Sequence, residues 1–169
     1  MAKFYISSTY KDLLDERAAA ARAVRRLGHQ EIAMEDYVAG EKRPVDKCLA
    51  DVRACDAYIG IVAWRYGPPL ETHDKSVTHL EYEEAGKTGM PRFIFLLDEA
   101  AAWPRLKMDD DVTRVKQFRG QLLKQHVVSH FSNPDQLSAL VGAAISQEFG
   151  PRGVAKTKPA FLPPSPLPQ

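Results

Sequence analysis

Cysteine is scarce in this chain, and its two cysteines, Cys48 and Cys55, match no common zinc or thioredoxin spacing. No histidine pair sits near them in sequence to complete a metal site. Cys55 opens an apolar strand and reads as a small core residue, and Cys48 as a helix packing residue. This usage fits a reduced, cytosolic protein. Long apolar runs are also missing, so no segment reads as a membrane span. The first residues, Met1 to Ser8, enter a strand directly and lack the charged, apolar and cleavage regions of a signal peptide. Charge of one sign is missing too. The formal net charge is +1, so no broad electrostatic footprint points to nucleic acid or an anionic membrane. There is no P-loop, GxGxxG, GxSxG or HExxH motif, and no internal repeat.

What is present suits one globular domain. The 169 residues are 44% hydrophobic and 27% charged, close to the average for soluble folds and enough for a sizeable core. Strand and helix patterns alternate. Phe4 to Ser8 reads as a strand and Asp12 to Leu27 as a long helix ended by Gly28. Glu31 to Met34 is a short strand, and Pro44 to Ala54 a helix with proline in its first turn. Ala57 to Ala63 is a continuous apolar run, typical of a central parallel strand. Thr78 to Thr88 is helical and Arg92 to Leu97 is a strand. The acidic stretch from Asp98 to Asp111 is a long connection with an irregular turn near Trp103-Pro104, and it is a candidate lid. Val112 to Lys124 is a helix, Val127 to Phe131 a strand, and Asn133 starts a last helix ending near Phe149-Gly150.

This order predicts a flavodoxin-like α/β fold, a parallel sheet of five strands covered on both faces, over residues 1–150. The tail over 151–169 differs. Its proline density favours extended conformation, and it reads as a frayed end or a semi-rigid linker.

Four groups of residues can carry chemistry. On the helix opened by Ser76 to Ala85, Glu81 shares a face with Val77, Ala85 and Thr88. A carboxylate at the edge of an apolar face is costly unless paired or working. Its position near the C-terminal ends of the strands is where open α/β sheets bind ligands. The competing reading is a capping box, Thr78-x-x-Glu81, in which the acid only closes a backbone N–H. There His79 is an exposed first-turn residue.

Ser7, Ser8, Thr9 and Tyr10 stand at the end of the first strand. Their hydroxyls can bond a phosphate or ribose, or cap the next helix, and one residue can do each. Arg17 falls in the stripe of Leu13, Ala20, Val24 and Leu27, so it needs a partner, and Asp56, Glu35 and Glu81 are the available carboxylates. A buried ion pair is the favoured role. Trp64-Arg65-Tyr66 after the central strand can stack on a base and bind phosphate, or anchor the loop. The run Asp109-Asp110-Asp111 suits a helix N-terminus and solvent better than a metal.

Taken together these motifs resemble a known family. Phe4-Tyr5-Ile6-Ser7-Ser8-Thr9-Tyr10-Lys11-Asp12-Leu13 with Asp15-Glu16-Arg17 looks like the start of a TIR-like domain family of formerly unknown function. Met34 to Tyr37, Cys48 to Val52, Asp56 to Gly60, Trp64 to Gly67 and Ser76 to Tyr82 continue the resemblance in order. It runs from about Lys3 to Leu97. Members commonly sit ahead of the ATPase and repeat modules of STAND receptors, and the fold is similar to TIR domains and nucleoside deoxyribosyltransferases.

The resemblance implies an intracellular immune effector that hydrolyses the N-glycosidic bond of NAD when copies assemble. NAD is then substrate, and no cofactor or metal is called for. Glu81 would be the catalytic acid. Ser7, Ser8 and Tyr10 would line the ribose or phosphate side, and Trp64, Arg65 and Tyr66 would hold a ring or the pyrophosphate. The segment from Tyr37 to Arg43, hinged at Gly40, would join neighbouring copies. Around Glu81 the usual Trp/Cys setting of TIR enzymes is replaced by Thr78-His79-Leu80. The alternatives are a non-catalytic adaptor working by homotypic assembly and a deoxyribosyltransferase-like enzyme.

Overall fold

A computed structural model describes residues 1–33 and 45–150. Met34, Glu35, the segment from Tyr37 to Arg43 with Gly40, Pro44 and the proline-rich tail lie outside the described residues. The elements in order are β1 (Lys3–Ser7), α1 (Leu14–Arg26), β2 (Gln30–Ile32), α2 (Val45–Arg53), β3 (Ala57–Val62), β4 (Pro69–Leu70), β5 (Lys75–Ser76), α3 (Val77–Thr88), β6 (Arg92–Leu97), α4 (Thr113–Gln125), β7 (Ser129–Phe131) and α5 (Pro134–Phe149). A 3₁₀ turn spans Arg105–Lys107.

Five strands form one parallel sheet in the order β2-β1-β3-β6-β7. This is the flavodoxin-like α/β fold expected from the alternating pattern. Strand β3 is buried at all its positions, as a central strand covered on both faces must be. Side-chain alternation divides the core. Phe4, Ile6, Ile59, Ile61, Phe95 and Leu97 face α1 and α5, where Ala20, Val24, Leu137, Val141 and Ile145 close the layer. Tyr5, Tyr58, Val62, Ile94 and Leu96 face the other way, onto Val52, Tyr82, Ala85, Val115, Phe118 and Leu122 from α2, α3 and α4.

Two details differ from expectation. The loop after β3 contains a short antiparallel hairpin, β4 with β5. The connection over 98–111 is fastened at several points. Asp109 N donates to Trp64 O at 3.0 Å. Asp109 Oδ2 accepts from Tyr66 N at 2.8 Å, and Leu106 O accepts from Arg65 at 2.6 Å. It is a wall tied to the β3–β4 loop. Asp111 accepts from Thr113 N and its hydroxyl at the start of α4, the role expected for that acidic run.

The connection after β1 leads to α1 on one face, and the segment after β3 leads to α3 on the other. The crevice between the C-terminal ends of β1 and β3 is therefore the switch point at which open α/β sheets bind ligands.

Candidate functional site

Glu81 stands at that switch point. It is 6% exposed, and both its oxygens are held by hydroxyls from β1. Tyr5 Oη donates to Oε2, and Ser7 Oγ donates to Oε1 at 2.8 Å. Tyr5 and Ser7 are two residues apart on a strand, so both point to the α3 side. Behind them Tyr58 is fully buried near Ser7 and Glu81, and its hydroxyl is pushed up mainly by burial. A carboxylate accepting two hydroxyl donors is fixed in place.

The capping-box reading of Glu81 is overturned. Ser76, not Thr78, caps α3: its Oγ accepts from His79 N at 3.3 Å while its backbone is extended. Glu81 turns instead to the sheet. The buried side of α3 runs through Thr78, Glu81, Tyr82 and Ala85, and Thr88 is exposed and bonds Ala85 O. His79 is not an exposed first-turn residue. It stacks on Phe118 with ring centres 4.4 Å apart, and its Nδ1 meets Tyr66 Oη at 2.7 Å. Burial lowers its pKa.

Glu81 opens onto a cavity of about 500 Å³. Its walls are the β1–α1 loop, the Arg65 to Leu70 stretch and the first turn of α3, where Val77 and Thr78 line it. Gly67 has φ +91° in this wall, a conformation suited to glycine, and a Cβ there would lie 3.3 Å from Ser76 Cβ. The volume suits a small ligand.

The sequence-derived candidates separate into two groups. Ser8, Tyr10, Arg17, Arg65 and Glu81 line this cavity, and Ser7 reaches it through Glu81. Ser8 does not cap α1, whose N-cap is Leu13 with no side-chain bond. Its Oγ donates to Thr9 O and accepts from Arg17 at 2.7 Å. Arg17 is 2% exposed and also reaches Ile6 O at 3.4 Å and lies over the Tyr10 ring. Of the carboxylates offered for it, Asp56 instead accepts from Lys3 N, and Glu35 lies outside the described residues.

Trp64 and Tyr66 do not line the cavity. Trp64 lies under the Arg119 guanidinium, 4.3 Å from its ring centre. Tyr66 is buried in the α4 side of the core, edge-on to Phe118. Alternation along the chain after β3 turns only Arg65 of the three toward the site. Both cysteines are buried and in no disulfide, and Cys48 lines the cavity. Among the described residues no group of three or more His, Cys, Asp or Glu gathers as a metal site.

Sequence reasoning missed Tyr5, Asp12 and Arg119. For Tyr5 the signal was its two-residue spacing from Ser7. Asp12 lines the cavity and is 1% exposed. Arg119 ties strand ends: it donates to Val62 O, Ala63 O and Leu97 O.

Residues 3–146 match a family described as a domain of unknown function, DUF4062. The chain belongs to that family. No curated protein matches the sequence. Among solved structures, the chain is similar to the TIR domain heterodimer of RPS4 and RRS1. Identity there is 14%, TM-score 0.51, with 89% of this chain and 98% of that chain covered. A flavodoxin-like domain from Synechococcus sp. matches at 9% identity and TM-score 0.47, over 87% of this chain and 99% of that one. A 2-desoxiribosyltransferase from Leishmania mexicana matches at 17% identity and TM-score 0.41, over 75% and 100%. At these identities the likeness is one of fold, and this DUF4062 domain has a TIR-like fold.

Proposed function

We propose that this domain cleaves the N-glycosidic bond of a ribosyl nucleotide, with NAD as first candidate, when copies are brought together. We place it as the effector of an intracellular STAND-type immune receptor, upstream of ATPase and repeat modules. The observation that carries the reading is Glu81. It is a buried carboxylate, gripped at both oxygens by β1 hydroxyls, at the switch point of the sheet and open to a 500 Å³ cavity.

The chemistry follows from that arrangement. The bond from C1′ to the pyridinium nitrogen breaks, and its electron pair goes to nicotinamide, which leaves neutral. Positive charge develops on the ribosyl ring. A preorganised carboxylate stabilises that charge more in the transition state than in the ground state, either electrostatically or as a transient ester. Water then adds at C1′ and releases its proton. Ser8, Tyr10 and Arg65 are available to the ribose and phosphates, as is the N-terminal turn of α3. Trp64 and Tyr66 support this wall from behind.

The TIR fold also favours a second reading, since the similar RPS4 and RRS1 domains form a heterodimer. On that reading the domain is an adaptor that signals by self-association without turnover. A deoxyribosyltransferase-like enzyme, the third reading, would turn over free nucleosides instead. Incubating the chain, oligomerised by fusion, with NAD and with nucleosides separates them. Nicotinamide release supports the first reading, base exchange on deoxynucleosides the third, and assembly with neither supports the adaptor.

A further inference from the structure

We propose that Tyr58 is a positioning residue for Glu81 and acts through Ser7, in a relay of hydroxyls that ends on one oxygen of the carboxylate. This rests on the reading of Glu81 as the working group of the site.

The relay follows from the register of β1 with β3. Tyr5 pairs with Tyr58, and Ser7 pairs with Gly60. Residues two apart on a strand share a face, so Tyr58 and Gly60 both lie on the Glu81 side of the sheet. A glycine inside a buried central strand gives up packing and backbone entropy, and it often marks a close approach. Here the Tyr58 side chain makes the approach. A Cβ on Gly60 would stand 2.9 Å from Tyr58 Cε1 and 3.3 Å from its Oη. The Tyr58 ring therefore passes over Gly60 and carries its hydroxyl from the level of Tyr5 to the level of Ser7. There it bonds the Ser7 side chain.

Proton count fixes the direction of that bond. Serine has one hydroxyl proton, and Ser7 gives it to Glu81 Oε1 at 2.8 Å. Ser7 Oγ can then only accept from Tyr58. Tyr58 is 1% exposed, and burial above all keeps its phenol protonated. The Ser7 bond and Arg92 oppose that effect, and the Glu81 charge adds to it. The order is Tyr58 Oη to Ser7 Oγ to Glu81 Oε1, beside the direct bond from Tyr5 to Oε2.

A serine hydroxyl can rotate among several acceptors. The Tyr58 proton occupies a lone pair of Ser7 and leaves the Ser7 proton aimed at the carboxylate. Hydrogen bonds in a chain also polarise one another. Tyr58 is not among the residues lining the cavity, so its effect on a ligand passes through Glu81.

The test uses the full chain with carbon-13 in its glutamate carboxyls, the Glu81 signal being the one lost in Glu81→Gln. Tyr58→Phe keeps the ring and should move that signal by more than its width. In a Ser7→Ala background the same change should leave it still. Urea denaturation follows the bond by a second route. Tyr58→Phe alone should lower the folding equilibrium constant about twofold to tenfold, because Ser7 loses a buried partner. With Ser7→Ala in place it should cost nothing, since it then removes a hydroxyl without its partner.

A Glu81 signal that Tyr58→Phe leaves in place, or moves equally in the Ser7→Ala background, overturns the proposal. So does an equal loss of stability in both backgrounds, which would make Tyr58 a packing residue. Gly60→Ala crowds the Tyr58 ring and replaces Tyr58→Phe in the carbon-13 experiment if that variant does not fold. NAD turnover by the assembled chain is scored separately. Tyr58→Phe should lower kcat about threefold with KM unchanged, and only while Ser7 is present. Wild-type turnover that Tyr58→Phe leaves unchanged also overturns the proposal. No turnover at all, beside a Glu81 signal coupled to Tyr58 through Ser7, rejects the cleavage reading alone.

Discussion

At the scale of the residue, Glu81 depends on its two hydroxyl donors. Tyr5→Phe removes one charge-assisted bond while keeping the ring in the core. Such bonds contribute about 1.5–3 kcal/mol. If Glu81 stabilises developing charge, turnover should fall about tenfold to hundredfold with KM little changed, because the loss falls on the transition state. A change confined to KM would mean that Tyr5 serves ligand binding. Glu81 itself was legible in the sequence, because a carboxylate on an apolar helix face stands out. Its partners were not. They lie 76 and 74 residues away on β1, and only the sheet brings them together. The capping motif at Thr78 misled for a related reason. Ser76 sits two residues earlier and takes the cap, which frees the acid to turn inward.

At the scale of the element, the strand ends that frame the site are held by α4. Arg119 is 4% exposed, and its guanidinium satisfies carbonyls at the ends of β3 and β6 while stacking on Trp64. Arg119→Met leaves those buried acceptors unpaired and should cost about 2–4 kcal/mol in a urea denaturation. A loss below about 0.5 kcal/mol, the range of ordinary surface changes, would contradict this role. The main strands and helices were readable because each is long enough to show its period, and β3 shows an unbroken apolar run. The β4–β5 hairpin was not. Strands of two residues carry no period, and this one is held by the turn between them. The acidic 98–111 connection looked like a free lid because each of its ties to Trp64, Arg65 and Tyr66 uses at least one backbone atom, invisible in side-chain pattern.

At the scale of the whole molecule, one buried and two half-buried histidines set an acid limit. Burial lowers the pKa of His29, His79 and His126. A folded-state pKa below the unfolded value contributes stability that is present above the unfolded pKa, about 6.5, and is lost as pH falls through the folded value. A proton NMR titration should therefore find these three rings titrating below that reference. Rings titrating at or above it would contradict their burial as neutral imidazoles. The wider claim is that the sheet, its switch point and the gripped carboxylate form a catalytic site, active when copies are held together. Its most direct test is NAD loss by the chain fused to an oligomerising partner, beside the same fusion carrying Glu81→Ala. The account predicts nicotinamide release that the substitution abolishes while fold and assembly persist. No release from the assembled, folded wild type, or release that survives Glu81→Ala, would contradict it.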